Sequence, residues 1–452
     1  MRMPRSAFAA LAASGLILGS MGPAGGAERG PPPVELTTTL SQSVLTPETR
    51  QTIYLRIGLK GARSTARERA PMNISLVIDR SGSMDGPRIR AARDAAKMAV
   101  DRLSARDIVS VISYDQVVEV EVPATRATDK QAIKDRIDRL TARGSTAIWA
   151  GLQRGADEVR KFKSPEYVNK IILLSDGLAN VGPSKADDFV RLGRQLGREG
   201  ITVSTVGLGR EYNEDLMSGL AKASEGTHKF VQEPADLAQF FAHEFDDAQN
   251  VVAQGIIIHI DLVPGLAPGK GLGRDAEVQA QRMTFRLSQI IAETEQSVVA
   301  AIEVPAAFAD GSKSLGRVSV SLTGVDGVVR NLDTQSVSAR FSTSANDREA
   351  SIDKTVMRDV TVHEARAAND EAVKLRDQGR VDDARRRFEE NARMIDETAK
   401  RRGVDSDASV QSQSAAAKAA SAPSAASPAE WERQRKTIKE IDTNSAGARI
   451  RF

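Results

Sequence analysis

The sequence predicts an α/β fold in which a doubly wound, mainly parallel sheet is flanked by an antiparallel β-sandwich and a C-terminal helical hairpin. Three observations support this. Strand and helix patterns alternate over residues 72–250, apolar residues recur at period two on both sides of that segment, and helical spacing appears after residue 351. Repeated βα units favour a parallel sheet, whereas period two favours half-buried antiparallel strands. A chain of 452 residues has room for two or three domains.

The first 27 residues have the layout of a secretory signal peptide. Arg2 and Arg5 give a basic start, residues 7–19 form a short apolar run, and small residues at 25–27 suit signal peptidase. We expect an exported protein, located in the periplasm, outside the cell or on its surface. Because no run of about eighteen apolar residues exists, we expect no transmembrane segment in the mature chain.

Charge and cysteine content exclude several classes of protein. The formal net charge is +3, from 63 basic and 60 acidic residues, and no block of like charge stands out, so we expect no nucleic-acid partner. The chain has no cysteine, which excludes disulfides and thiolate chemistry. An exported chain without disulfides must be stabilised by core packing and by ions.

Two β-rich segments flank the α/β region. Residues 34–70 contain strand-like alternation, with Ile53, Leu55 and Ile57 on one face, and residues 255–345 read as an antiparallel sandwich with turns between its strands. The N-terminal strands need a sheet to join. The economical hypothesis is that they join the sandwich, so that the α/β domain is inserted into it.

The α/β region, residues 72–250, begins with a near-continuous apolar strand, as expected of a strand covered on both faces. Pro87 suits the first turn of the helix that follows. A reversal between Tyr114 and Val117 would make one edge strand antiparallel. The predicted strands are 74–79, 108–114, 117–122, 170–175, 201–207 and 228–232, and the predicted helices are 88–103, 129–140, 146–162, 185–198, 214–223 and 235–249.

The C-terminal part returns to helical spacing. Residues 351–403 form a helical hairpin with a turn at Gly379, which resembles a single tetratricopeptide-type unit. One copy cannot stack into a solenoid, so it would pack or dock against another part of the protein. Residues 404–428 are rich in Ala and Ser and are predicted to be a flexible linker, and residues 429–452 a terminal helix and tail.

Three short pieces of the α/β region carry the candidate chemistry. They are Asp79-Arg80-Ser81-Gly82-Ser83 after the first strand, Gly144-Ser145-Thr146 at a helix start, and Ser175-Asp176-Gly177 after a buried strand. Ligands of parallel sheets bind beyond the carboxyl ends of the strands, where these pieces fall. Carboxylate and hydroxyl oxygens suit Mg²⁺ above all, with Mn²⁺ or Ca²⁺ possible, rather than zinc or copper. The predicted metal site consists of Asp79, Ser81, Ser83, Thr146 and Asp176.

This pattern resembles the metal-ion-dependent adhesion site of von Willebrand factor A and integrin-inserted domains, over residues 72–250. The resemblance implies that Ser81, Ser83 and Thr146 contact the ion directly and that Asp79 and Asp176 act largely through water or neighbouring groups. It also implies that a Glu or Asp of a partner completes the coordination. The flanking sandwich and hairpin resemble those of exported bacterial proteins of this superfamily, by layout alone.

The resulting hypothesis is a metal-dependent protein-binding module for adhesion or envelope assembly, and not an enzyme. Asp115 and the loop 211–213 are expected to shape the partner surface, together with Trp149 if its ring is exposed instead of packing in the core. Two alternatives stay open. One is a hydrolase with Ser81 or Ser83 as nucleophile or the metal as Lewis acid, although no histidine lies near either serine in sequence. The other is a structural envelope protein with a stabilising ion.

Overall fold

A computed structural model describes residues 33–63, 69–209, 212–445 and 450–451. The predicted signal peptide, residues 1–27, lies outside the described residues. The chain first forms three strands, two of which pair as an antiparallel hairpin with Leu36 opposite Leu59. They are β1 (Val34–Leu40), β2 (Val44–Leu45) and β3 (Gln51–Gly61).

The α/β region follows, with alternating strands and helices as predicted. Its strands are β4 (Met72–Asp79), β5 (Ile108–Tyr114), β6 (Val118–Arg126), β7 (Val168–Ser175), β8 (Ile201–Leu208) and β9 (His228–Val231). Its helices are α1 (Pro87–Arg102), α2 (Lys130–Ile137), α3 (Ile148–Arg160), α4 (Ala186–Arg198), α5 (Glu214–Ser224) and α6 (Leu237–Gln249).

The six strands form one sheet in the order β6-β5-β4-β7-β8-β9. All neighbours run parallel except β5 and β6, which pair antiparallel, as the reversal near Val117 predicts. Every residue of β4, β7 and β8 is buried, because helices cover both faces of the sheet. Successive strands are added first on one side of β4 and then on the other. The order therefore reverses between β4 and β7, where ligands of such sheets bind.

The chain then enters a sandwich directly, since α6 ends at Gln249 and the next strand begins at Val251. The strands are β10 (Val251–Leu262), β11 (Ala267–Leu272), β12 (Glu277–Gln279), β13 (Arg282–Ile291), β14 (Thr294–Val304), β15 (Gly311–Gly324), β16 (Val329–Asn331) and β17 (Gln335–Phe341). One sheet has the order β12-β13-β10-β15-β17-β2, with β16 beside β15.

The second sheet of the sandwich contains the N-terminal strands, in the order β1-β3-β14-β11. Strand β3 pairs with β14 over ten residues, from Gln51 opposite Val304 to Lys60 opposite Glu295. The inner faces of both sheets share one apolar core, which includes Ile57, Ile258 and Phe285. The α/β region is thus inserted between β3 and β10 of the sandwich.

Helices follow the sandwich: α7 (Ala345–Ala350), α8 (Lys354–Asp377), α9 (Val381–Arg402), α10 (Ala408–Ser421) and α11 (Pro428–Ser445). The predicted hairpin is α8 and α9, with Gly379 at a positive φ of 78° in the turn between them. Residues 450–451 form a short strand, β18, which pairs with β14.

The prediction of a flexible linker over residues 404–428 is wrong. Most of that segment is α10, which begins at the N-cap Asp407 and buries Val410, Ala417 and Ala420. Alanine has the highest helix propensity, and its small side chain lets α10 approach α8 and α9 closely. A composition rich in Ala and Ser therefore marks a packed helix here.

Candidate metal centre

Asp79 ends β4 and is fully buried beneath the loop that follows. One carboxylate oxygen, Oδ1, accepts a hydrogen bond of 2.8 Å from the backbone N–H of Ser81. The other, Oδ2, accepts one of 2.7 Å from the hydroxyl of Ser175 at the end of β7. These bonds fix the carboxylate at the boundary between the two central strands and hold the loop above it.

The loop continues as a short 3₁₀ turn over Gly82–Met84, which brings Ser83 to the surface. The Ser83 hydroxyl donates to Asp176 Oδ1 at 2.7 Å and lies 3.1 Å from the Ser81 hydroxyl. A serine that donates its proton to a carboxylate keeps its lone pairs for another ligand. Ser83 can thus bind a cation while staying bonded to Asp176.

Thr146 joins this group from the loop before α3. The loop is held on one side by a 3.0 Å bond from the Gly82 N–H to the Gly144 carbonyl, and on the other by a 2.7 Å bond from the Thr146 N–H to Asn180 Oδ1. A Cβ added at Gly177 would lie 3.5 Å from both the Ser83 and the Thr146 hydroxyl oxygens. The two hydroxyls therefore face the same small space.

Gly144 is required for this loop conformation. Its φ is +74°, and a Cβ at this position would lie 1.7 Å from Gln116 Oε1, which accepts a bond from the Ser145 N–H. Glycine allows both the left-handed backbone and the close approach. The structure thus brings all five predicted site residues together at one edge of the sheet.

The charges of the site do not cancel among the described residues. Burial raises the pKa of Asp79 to about 6; hydrogen bonds from Ser175 and Ser81 oppose the shift, and the nearby Asp176 adds to it. No cation of the described chain pairs with Asp79, whereas Arg88 Nη1 donates to Asp176 Oδ2 at 2.7 Å. Two carboxylates and one guanidinium give a net charge of −1 when both acids are ionised.

The donor set fits a hard divalent cation. A buried carboxylate without a counter-charge is costly, and a cation next to Asp79 would remove that cost. The oxygens on offer are two carboxylates and three hydroxyls, a set that suits Mg²⁺, Mn²⁺ or Ca²⁺. Within the described residues, no group of three His, Asp or Glu side chains converges as a metal site, so the hydroxyls would have to supply part of the coordination.

Asp115 does not shape an outer surface, contrary to prediction. It is fully buried, and its Oδ2 lies 3.1 Å from Arg80 Nε and 2.9 Å from Arg143 Nε. Arg80 also pairs with Glu119 at 2.8 Å, and only its Nη1 is aligned for a hydrogen bond, also to Glu119. Because Arg80 lies between Asp79 and Ser81, this network anchors the loop over residues 79–83.

The other predicted surface residues are also mostly interior. Glu211 lies outside the described residues, Tyr212 is buried, and Asn213 caps α5 by accepting a 3.1 Å bond from the Leu216 N–H. Trp149 is half-buried and packs edge-on against Phe189, with ring centroids 5.2 Å apart. These residues support the core and the helix start, and only part of Trp149 is accessible.

The exposed apolar groups near the site are instead Val117 and Leu178, with relative exposures of 52% and 59%. Leu178 follows Asp176 by two residues, and Val117 follows Gln116, which holds the Ser145 backbone. Sequence reasoning also missed Arg88. One signal for it was present, because a helix that begins at Pro87 places residue 88 in the first turn after the loop over residues 79–83.

A family model matches the α/β region. Residues 73–246 match the model of the von Willebrand factor type A (VWA) domain. This segment is a VWA domain. The fold prediction is confirmed, and the insertion of the VWA domain into a sandwich gives the chain its composite architecture.

Solved structures share that architecture. The von Willebrand factor type A protein from Catenulispora acidiphila aligns over 93% of this chain and 98% of its own, with a TM-score of 0.73 and 18% identity. The ArnB paralog VWA2 from Sulfolobus acidocaldarius aligns over 92% of this chain and 98% of its own, with a TM-score of 0.62 and 16% identity. At these identities the likeness concerns the fold.

Among curated proteins, an uncharacterised protein of Synechocystis sp. is 32% identical over 210 residues, which is 46% of this chain and 49% of that protein. The chain spans about half or less of the length of the curated relatives it matches. Within the described residues, none of the helices combines the length and the apolar character needed to cross a bilayer.

Proposed function

We propose that the VWA domain binds a protein partner through a divalent cation, most simply Mg²⁺, that bridges to an acidic side chain of that partner. VWA domains generally mediate protein interactions. The observation that supports the metal bridge is the juxtaposition of Asp79, Ser81, Ser83, Thr146 and Asp176 at the point where the strand order reverses. Such a module would serve adhesion or envelope assembly in an exported protein.

In this proposal the three hydroxyls would hold the ion, and Asp79 and Asp176 would orient them. The Ser83–Asp176 bond of 2.7 Å sets the direction of the Ser83 lone pairs. The backbone bond from Ser81 to Asp79 does the same for the start of the loop. The ion supplies an electrophilic centre to which an outside carboxylate can bind. Recognition of the rest of the partner falls to the exposed side chains around it, such as Leu178.

A hydrolase is the less well supported alternative. A nucleophilic serine needs a base within hydrogen-bond reach. Ser83 donates to Asp176, but the other oxygen of that carboxylate already accepts a hydrogen bond from Arg88. All four histidines lie within the described residues, and no hydrogen bond joins any of them to Ser81 or Ser83.

The experiment that tests the metal site is titration calorimetry of the full chain with Mg²⁺ and Mn²⁺. We expect Asp79→Asn to abolish binding and Thr146→Val, which keeps the shape but removes the hydroxyl, to weaken it at least about tenfold. Thr146→Ser keeps the hydroxyl and should bind nearly as wild type. Asp94→Asn serves as the control, because Asp94 is 69% exposed on α1 and lies outside the site.

Partner capture tests the bridge itself. Affinity purification from an envelope fraction should yield a partner in Mg²⁺ that is released by chelator, and metal and partner should strengthen each other's binding by the same factor. Equal capture in Mg²⁺, in chelator and with Asp79→Asn would contradict the metal bridge. The VWA domain would then bind through an ordinary surface, and its ion would have a structural role.

A further inference from the structure

Arg88 stands in the first turn of α1, directly beside the five site residues. Its Nη1 donates to Asp176 Oδ2 at 2.7 Å and to the Ser83 carbonyl at 3.2 Å. Asp176 Oδ1 accepts the bond from the Ser83 hydroxyl, so Arg88 and a predicted metal ligand occupy the two oxygens of one carboxylate. The guanidinium is therefore adjacent to the position in which a cation would sit.

Only part of the guanidinium is used within the chain. Of its five N–H donors, those on Nε and Nη2 make no hydrogen bond to any described residue, and the side chain is 30% exposed. A Cβ at Gly209 would lie 3.0 Å from Nη2, so the glycine leaves room for this edge of the guanidinium. A rigid fork of free donors is the group that binds carboxylates best.

Charge balance gives Arg88 a function beyond holding Asp176. Two carboxylates and a divalent cation sum to zero, and a neutral centre has no net attraction for an acid. Addition of the guanidinium makes the loaded site +1, which a single carboxylate neutralises. Arg88 thus supplies the charge that distinguishes an acidic side chain from a neutral oxygen donor such as an amide.

We propose that Arg88 is the residue that makes the site select a carboxylate, by binding one oxygen of the partner's Glu or Asp while the cation binds the other. This inference rests on the proposed function, because it requires the metal bridge. It adds a specificity-determining residue that acts on the partner, and it implies that Arg88 and the cation repel each other.

The test makes two measurements on the full chain. Calorimetry with Mn²⁺ alone measures metal binding. Methyl NMR in Mg²⁺ measures the binding of two defined peptides, acetyl-Gly-Glu-Gly-amide and acetyl-Gly-Gln-Gly-amide. We expect wild type to prefer the Glu peptide and Arg88→Gln to bind it about tenfold more weakly. The same variant should bind Mn²⁺ more tightly in calorimetry, since a like charge has been removed. If Arg88 had only a structural role, Arg88→Gln would lower the affinity for Mn²⁺ and the affinity for the Glu peptide together.

Two further variants complete the experiment. Arg88→Lys keeps the positive charge but loses the paired N–H donors of the guanidinium. The affinity for Mn²⁺ should therefore return to the wild-type value, whereas the affinity for the Glu peptide should recover only in part. Arg90→Gln is the matched control, because Arg90 is exposed on the same helix. Wild-type binding of the Glu peptide by Arg88→Gln overturns the inference and leaves the metal bridge standing. Failure of wild type to bind Mn²⁺ overturns the proposed function and this inference with it.

Discussion

His228, the first residue of β9, lies in the interior of the VWA domain. Its Nδ1 is 2.9 Å from the Thr205 hydroxyl, and its Nε2 is 3.2 Å from the Tyr212 hydroxyl. Burial lowers the pKa of His228 to about 3, from an ordinary value of 6.5, and the neighbouring Lys229 adds to the effect. The imidazole is thus neutral in the folded protein at pH values where the unfolded chain would protonate it.

This shift predicts a pH dependence of stability. Below pH 6.5 the unfolded state binds a proton that the folded state does not, so the free energy of unfolding falls as pH falls from 6.5 towards 3. The contribution of His228 is at most about 1.4 kcal/mol per pH unit. In urea unfolding at about pH 7 and about pH 5, we expect His228→Gln to show a smaller loss than wild type. An identical loss in both proteins would contradict the prediction.

At the residue scale, the sequence predicts which side chains converge at the site but not which partners the neighbouring side chains bind. Asp79, Ser81, Ser83, Thr146 and Asp176 could be predicted because they follow strand ends or precede a helix, and those ends meet at one edge. The burial of Asp115 could not be predicted, since its arginine partners come from two other loops. The position of Arg88 in the first turn of α1 could be inferred from Pro87, but its pairing with Asp176 could not, because that acceptor is distant in sequence.

Helix α11 shows how one element joins two parts of the molecule. Arg435 pairs with Glu214 and Asp215 at the start of α5 and, at 2.8 Å, with Asp377 at the end of α8. One residue on, Lys436 is buried, with its ammonium 5.1 Å from the centre of the Tyr212 ring. The helix therefore links the VWA domain to the C-terminal helices through ion pairs.

Removal of the central charge of this contact should destabilise the protein. Arg435→Met would leave three carboxylates close together, two of them partly exposed, and we expect a loss of about 2 kcal/mol in the free energy of unfolding. Arg433→Met is the matched control, because Arg433 is 57% exposed on the same helix and pairs only with Glu430 among the described residues. Equal stability of the two variants in urea unfolding would show that the ion pairs of Arg435 contribute little to stability.

Most strands and helices could be predicted from the spacing of their apolar residues and from residues that mark their ends. Apolar runs gave β4 and β7, and Pro87 marked the first turn of α1. Helix α10 was not predicted, because alanine is common both in flexible segments and in closely packed helices. Only the presence of α8 and α9 next to it, which gives Ala417 and Ala420 something to cover, decides between the two.

At the scale of the whole molecule, the VWA domain and the sandwich share contacts that should make them unfold together. Val251 of β10 and Ile291 of β13 belong to the apolar core of the VWA domain. Glu225, the C-cap of α5, pairs with Arg274 and accepts a 2.6 Å bond from the Ser288 N–H. The boundary between the domains is therefore a packed interface.

We expect one calorimetric transition that responds to changes on either side of this interface. Phe189→Ala in the VWA core and Phe285→Ala in the sandwich core, both fully buried in wild type, should each cost about 3 kcal/mol and lower the same transition. Two separate transitions, each shifted by only one of the variants, would contradict this expectation and would describe two independent folding units.

The insertion of the VWA domain has a mechanical consequence. Both of its junctions, before Met72 and after Gln249, lie at the edge where the parallel strands begin, opposite the candidate metal centre. If a bound partner were pulled while the sandwich was held in place, the force would act along the length of β4. That strand pairs with β5 and β7 on its two sides, through Asn73–Asp79 and Met72–Ile78. Such a load shears these bonds together rather than unzipping them singly, so the fold is well suited to tension between two anchored bodies.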